Sequence, residues 1–159
     1  MLNLDTKERL LLEDEKSHEQ LCVEKYKEYS CKACDPALKE LFSSLQKKEQ
    51  QHLDSINQML QGTIPSTGTS QQSGSQSSSS NMNSVSSSME SYSEEDKAHD
   101  KMLCQDSLST EKYVSSTYNT AIFEFKDKKA RQLLNHIQKE EQEHGEALYN
   151  YMAQHGMYN

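Results

Sequence analysis

The apolar residues of this chain recur at intervals of three and four in four segments, the spacing of the buried face of an amphipathic helix. Two segments precede residue 62 and two follow residue 92. In the last segment the repeating positions are Ala130, Leu134, Ile137, Glu141, His144, Leu148 and Tyr151. The pattern therefore predicts an all-α protein with four helices of about 25 residues each, the first ending near Ser30 and the third near Lys126.

Two ionisable residues interrupt the apolar pattern in the middle of the last segment. Glu141 and His144 occupy positions that face the core, where an unpaired carboxylate costs several kcal/mol even after relaxation. A metal ion would neutralise the carboxylate and accept a lone pair from the imidazole. This Glu-x-x-His motif is thus predicted to ligate a metal.

The first half of the chain repeats the same pattern at an offset of 92 residues. The corresponding positions are Leu38, Phe42, Leu45, Glu49, His52, Ile56 and Met59. The offset also places Glu19 on Glu111 and Tyr26 on Tyr118 without a gap. The two halves therefore read as an internal duplication of a helical hairpin.

A third acidic position completes each half. Glu19 and Glu111 lie on the apolar face of the upstream helix, each 30 residues before the glutamate of its Glu-x-x-His motif. In the first helix, Glu15 and Tyr29 lie on the same predicted buried face. Thirty residues cover an outward helix, a tight turn and an equal return, so each of these glutamates should lie opposite its motif. Di-iron and di-manganese bundles use one Glu from each of two helices and Glu-x-x-His from each of the other two. The predicted metal ligands are Glu19, Glu49, His52, Glu111, Glu141 and His144. The alternative is a vestigial or merely hydrated polar layer.

The chain between the two halves consists almost entirely of Ser, Gln, Gly, Thr and Asn. This composition cannot bury enough apolar surface to offset the entropy of ordering, so it predicts a disordered linker. The predicted organisation is a first helical hairpin at 1–62, a linker at 63–92 and a second hairpin at 93–159. Both hairpins should form one domain, a ferritin-like four-helix bundle with a long crossover connection.

The formal net charge of −8 and the pI near 5.2 argue against nucleic acid and anionic membranes as partners. No apolar run is long enough for membrane insertion. Synthesis in the cytoplasm is therefore expected. The low mean hydropathy of −0.97 reflects mainly the central polar segment.

Four further residues carry open alternatives. Cys31 and Cys34 form a Cys-x-x-Cys pair at the predicted first turn, either as incidental thiols or as a redox-active or cross-linking pair. Tyr26 and Tyr118 follow the two upstream glutamates by seven residues on the same helix face. They would either simply pack in the core or bond a metal ligand and relay electrons.

The second half resembles the spore coat F family of spore-forming bacteria. The resemblance rests on the runs at 109–124 (STEKYVSSTYNTAIFE), 130–134 (ARQLL) and 155–158 (HGMY). It implies a ferritin-like fold, a place in or beneath the spore coat, and partners that are other coat proteins or further copies of the chain.

Similarity to di-metal ferritin-like proteins also implies roles for the six ligands. Glu49 and Glu141 would bridge two iron or manganese ions, and the other four residues would each bind one ion. Such a centre could act on peroxide or oxygen. The alternative function is a purely structural coat component with a structural or vestigial metal site.

Overall fold

The computed structural model describes residues 1–66 and 92–158, and every regular element in these ranges is an α-helix. The helices are α1 (Thr6–Lys32), α2 (Pro36–Leu60), α3 (Glu94–Glu124) and α4 (Lys128–Gln154). The predicted all-α class is confirmed, as is the arrangement of two hairpins. Residues 67–91 lie outside the described residues, so the predicted disorder of that segment stays a prediction.

Side-chain caps fix where the helices begin. Asp5 accepts a hydrogen bond from the Glu8 amide, and the Glu8 carboxylate accepts one from the Asp5 amide, which forms a reciprocal capping box. Ser93 and Asp96 form the same box at the start of α3. At the end of α2, Gly62 has a φ of +87°, a conformation that glycine adopts without strain.

Two predicted helix ends are wrong by about two residues. Helix α1 was expected to end near Ser30 but continues to Lys32, so Cys31 lies in its last turn and only Cys34 lies in the connection. Nothing before Ala33 breaks the helix, whereas Pro36 disfavours a helical conformation at the residue before it. Helix α3 was expected to reach Lys126 and ends at Glu124.

The first residues of the segment predicted as linker lie against the bundle. Ile64 is partly buried against the apolar core, and the Leu2 amide donates a 2.8 Å hydrogen bond to the Gly62 carbonyl. An isoleucine and a satisfied backbone carbonyl are enough to hold this short stretch onto the bundle.

The helices form a bundle in which α1 packs against α2 and α3, and α4 packs against α3 and α2. Ion pairs join the start of α1 to the end of α3 (Lys7 to Glu124, 2.5 Å) and the end of α1 to the middle of α3 (Lys25 to Asp106, 2.8 Å). Helices α1 and α3 are therefore antiparallel, which makes α2 and α3 parallel. The end of α2 and the start of α3 therefore lie at opposite ends of the bundle.

Two apolar clusters fill the ends of the bundle, and a polar layer separates them. On α2, Leu45 belongs to one cluster and Ile56 to the other, with Glu49 and His52 between them. All seven positions of the predicted pattern on α2, and all seven on α4, are buried. On α1, Tyr29 was expected to be buried but is partly exposed, because its hydroxyl donates a 2.8 Å hydrogen bond to the exposed Asp106.

A duplicated acidic residue ties each hairpin to the turn of the other. Asp100 is fully buried, and its carboxylate accepts hydrogen bonds from the amides of Cys34 (2.8 Å) and Asp35 (2.9 Å). Glu8, its counterpart at the 92-residue offset, accepts a 2.9 Å bond from the Lys126 amide. These bonds satisfy backbone donors that the turns would otherwise leave without partners.

Replacing Asp100 with Ala should lower the free energy of unfolding by roughly 2–5 kcal/mol, because two turn amides lose their acceptor. The melting temperature should fall by roughly 5–15 °C. Thermal unfolding followed by circular dichroism measures the change. Asp106→Ala, on the exposed side of the same helix, is the control and should cost under about 1 kcal/mol. Equal effects of the two substitutions would contradict the tie between hairpins.

Candidate metal centre

All six residues predicted as ligands come together in the polar layer. Glu19 is supplied by α1, Glu111 by α3, and each of α2 and α4 supplies one Glu-x-x-His pair. None of the six side chains is more than 6% exposed. The amphipathic pattern brings them there, because each occupies a core-facing position near the middle of its helix.

The six residues form two overlapping groups whose potential ligand atoms lie within 4.8 Å of one another. The His52 site consists of Glu19, Glu49, His52 and Glu141. The His144 site consists of Glu49, Glu111, Glu141 and His144. Glu49 and Glu141, here called the shared glutamates, belong to both sites, whereas Glu19 and Glu111, the outer glutamates, belong to one each.

Both histidines turn the same nitrogen toward the centre. The Nδ1 atom of His52 lies 2.9 Å from Glu141 Oε1 and 3.3 Å from Glu49 Oε2. The Nδ1 atom of His144 lies 3.0 Å from Glu49 Oε1 and 3.6 Å from Glu141 Oε2. Each histidine is therefore closer to the shared glutamate of the other hairpin than to the glutamate of its own motif. The geometry follows the approximate twofold symmetry of the duplication.

Several carboxylate oxygens in the layer are buried without a hydrogen-bond partner among the described residues. They are one Oε2 atom from each outer glutamate and both side-chain oxygens of Glu141. A buried charged group without a partner is strongly destabilising. These oxygens are acceptors directed into the centre, and four carboxylates would balance the charge of two divalent cations. The residues present thus fit a pair of metal ions.

Burial raises the pKa of both outer glutamates well above the usual range. Burial acts in the same direction on the shared glutamates, but the close contacts with the imidazoles of the two histidines outweigh it and lower their pKa. Burial lowers the pKa of the histidines, and the carboxylates around them more than reverse this, raising that of His144 to about 9. Protons therefore supply the compensating positive charge in the metal-free protein, and a metal ion would have to displace them in order to bind.

Tyr26 and Tyr118 link the outer glutamates to the opposite hairpin. The Tyr26 hydroxyl donates a hydrogen bond to Glu111 Oε1, and the Tyr118 hydroxyl donates one to Glu19 Oε1. Both rings are almost fully buried, and burial raises the pKa of both phenols, so they remain neutral donors. Each bond occupies one oxygen of an outer glutamate and leaves the other oxygen free for the centre. The two predicted alternatives, packing and bonding to a ligand, thus coexist, whereas a role in electron transfer stays a prediction.

The sequence analysis did not identify Glu140 as part of the centre. Its Oε2 atom lies 2.8 Å from His52 Nε2, and its side chain is only 17% exposed. The hydrogen bond with His52 lowers the pKa of Glu140 to about 2. Glu140 lies outside the apolar pattern of α4, and its position directly before Glu141 was the sole signal in the sequence.

The sequence analysis also did not predict the contacts of Glu15, which precedes Glu19 by one helical turn. Its Oε2 atom accepts a 3.0 Å hydrogen bond from Thr117 and lies 3.5 Å from His18 Nδ1. Burial raises the pKa of Glu15 to about 8. The sequence placed Glu15 on the buried face but gave no partner for it, because the partner lies on α3.

A third group of potential ligands lies at one end of the bundle, beside the connection between α1 and α2, and consists of Cys34, His99 and Asp100. The Asp100 carboxylate already accepts bonds from two turn amides and from the Tyr92 hydroxyl (3.0 Å). Its oxygens are therefore satisfied without a metal. Cys31 and Cys34 are both free thiols, so the structure leaves their predicted alternatives open.

Comparisons with known proteins bear on the second half of the chain. No curated protein and no solved structure matches the chain significantly. No helix in the described part is both long and apolar enough to cross a membrane. Residues 99–159 match the model of the family described as the Coat F domain. This range contains most of α3 and all of α4, including Glu111, Glu141 and His144. The second helical hairpin of the chain is therefore similar to the Coat F domain, and this similarity indicates the spore coat.

Proposed function

We propose that this chain is a ferritin-like spore coat protein with a dinuclear iron or manganese centre that acts on peroxide or oxygen. The observation that carries the proposal is the pair of four-residue groups that share Glu49 and Glu141. A single metal site does not need two shared carboxylates, and a purely structural polar layer does not leave four buried oxygens without partners. In the coat, the partners would be other coat proteins or further copies of this chain.

The ligand chemistry favours iron or manganese. Each site offers three carboxylates and one imidazole, a hard, oxygen-rich set, whereas structural zinc sites use four cysteine or histidine ligands. The shared glutamates would bridge the two ions. Each outer glutamate and each histidine would bind one ion. Two divalent cations and four carboxylates have no net charge, which matters in a core that excludes water.

A pair of such ions supplies one-electron and two-electron chemistry toward peroxide or oxygen when bound. The residues of this chain position and isolate that chemistry. Apolar clusters on both sides of the layer exclude water. The hydroxyls of Tyr26 and Tyr118 hold the outer glutamates in place by hydrogen bonds. Each free carboxylate oxygen therefore faces the centre without having to reorganise.

A second function, a structural metal site, is supported by the burial of the centre. All six ligands are nearly inaccessible, and they come from all four helices. Metal ions in such a place would tie the helices together. In this alternative the bundle is a building block of the coat, and its metal stabilises it without turnover.

Hydrogen peroxide consumption by the metal-loaded full chain distinguishes the two functions. Protein loaded with iron(II) or manganese(II) should consume peroxide at least about 100-fold faster than a Glu141→Ala variant treated in the same way, because that variant lacks a bridging ligand. Glu143→Ala, an exposed position on the same helix, should retain the wild-type rate. Equal rates in wild type and Glu141→Ala, with metal shown to be bound in the wild type, would support the structural function and refute the catalytic one.

A further inference from the structure

Glu140 extends from α4 to α2 and contacts the predicted metal ligand His52 at Nε2, the ring nitrogen that faces away from the centre. Its Oε2 atom lies 2.8 Å from His52 Nε2, and its Oε1 atom lies 3.2 Å from the Lys48 ammonium. His136, one turn earlier on α4, has its Nε2 atom 3.6 Å from the same Oε2 atom. Glu140 is thus fixed from two sides by cationic or polar groups while it accepts a bond from His52.

This contact determines the tautomer and the ring orientation of His52. Once the proton on Nδ1 is displaced, a hydrogen bond from Nε2–H to Glu140 leaves the lone pair on Nδ1, the atom that lies 2.9 Å from Glu141. A carboxylate partner on the far nitrogen fixes the tautomer and the ring orientation of a ligating histidine and makes it more basic. His52 is therefore prepared to bind a metal in the His52 site.

The other half of the duplication lacks this partner. At the offset of 92 residues, the counterpart of Glu140 is Lys48, whose ammonium cannot accept a hydrogen bond from an imidazole. Among the described residues, His144 makes its polar contacts through Nδ1 alone. The duplicated centre is therefore asymmetric at the position behind each histidine.

A surface cavity of about 320 Å³ adjoins the same side of the centre. Its lining includes His52, Glu140, His136 and Lys48. A water molecule occupies about 30 Å³ of liquid volume, so the cavity has room for a hydrated cation. The His52 side of the centre is thus also the side that adjoins this surface cavity.

We propose that Glu140 is a positioning residue for His52, and that it makes the two metal positions unequal, so that the His52 site binds its ion first and more tightly. The proposal rests on the dinuclear centre under Proposed function. Loss of a carboxylate behind a ligating histidine typically costs 10–100-fold in metal affinity. The metal affinity of the His52 site should therefore exceed that of the His144 site by about the same factor.

Titration of the metal-free full chain with manganese(II), with free ion followed by electron paramagnetic resonance, tests the inequality. Wild type should bind two ions in two steps whose dissociation constants differ by roughly 10–100-fold. Glu140→Leu should weaken the tight step by about that factor and make the two steps similar. Glu140→Gln, which keeps an amide oxygen as acceptor, should fall between them and also guards against a folding defect in the Leu variant.

Lys48→Met is the matched control. It removes the ion pair between Lys48 and Glu140 but leaves the contact between Glu140 and His52. Its tight step should be unchanged. Exchange of the two residues (K48E with E140K) should restore two-step binding, with the tight ion now in the His144 site. His144→Ala should then remove the tight step in the exchanged protein, whereas His52→Ala should remove it in wild type.

Two outcomes would overturn the proposal in different ways. Two ions bound with equal affinity in wild type, and no change in Glu140→Leu, would refute the positioning role and leave the dinuclear centre intact. No binding of manganese(II) or iron(II) by any of these proteins would refute the dinuclear centre and the positioning role together.

Discussion

Metal-free protein is expected to melt at a clearly higher temperature once iron(II) or manganese(II) is added. A ligand that binds only the folded state, at about 100 times its dissociation constant, adds near 2.7 kcal/mol to the free energy of unfolding. For a chain of this size the melting temperature should rise by roughly 5–10 °C. The physical reason is that cations would take over the buried carboxylate oxygens that have no partner.

Differential scanning calorimetry with and without a chelator measures this shift. Magnesium at the same concentration is the control for weak binding to surface carboxylates, and it should change the melting temperature little. The interpretation fails if iron(II), manganese(II) and zinc all leave the melting temperature where it is in the chelator.

Replacing both Glu-x-x-His motifs with leucine should stabilise the metal-free protein and abolish the stabilisation by metal. The substituted residues are Glu49, His52, Glu141 and His144. In metal-free buffer this variant should be more stable than wild type by roughly 1–4 kcal/mol, as is common when buried ionic groups are exchanged for apolar ones. Leucine continues the apolar pattern of α2 and α4 on both sides of the layer.

The melting temperature of the same leucine variant should not change when metal is added. The difference in stability between this variant and wild type should therefore become smaller in the presence of metal. A double variant of exposed residues on α4, Glu143→Gln with Glu146→Gln, is the control and should respond to metal as wild type does. A leucine variant that still gains stability from iron(II) or manganese(II) would place the metal elsewhere on the protein.

The sequence was sufficient to predict the four helices and the burial of the two Glu-x-x-His motifs. Helical spacing leaves little freedom here: once Leu45 and Ile56 face the core, Glu49 and His52 between them must face it too. The duplication then indicated which residues share one height in the bundle. The ligand roles of these residues remain a proposal, because their identity as metal ligands depends on chemistry that burial alone does not test.

The sequence did not predict the contacts made between hairpins. Glu140 touches His52 only because α2 and α4 are neighbours, and Asp100 reaches Cys34 only because α3 runs antiparallel to α1. An apolar pattern states which side of a helix is buried, but it does not state which helix lies opposite its polar edge. Glu140 also lies at that edge, where a run of charged residues is normally solvated.

Helix ends were predicted only to within about two residues for a related reason. Cys31 and Lys32 extend α1 because no residue there opposes the helix, and the connection begins where Pro36 restricts the residue before it. Ile64 was assigned to the linker by composition, whereas its single apolar side chain suffices to pack on the core.

Metal content per chain tests the central claim most directly. Wild-type protein would be loaded anaerobically with iron(II) or manganese(II), desalted, and measured by inductively coupled plasma mass spectrometry against protein concentration. A dinuclear centre predicts close to two ions per chain in wild type and almost none in the variant with leucine at positions 49, 52, 141 and 144. Metal absent from wild type, or present equally in both proteins, would contradict it.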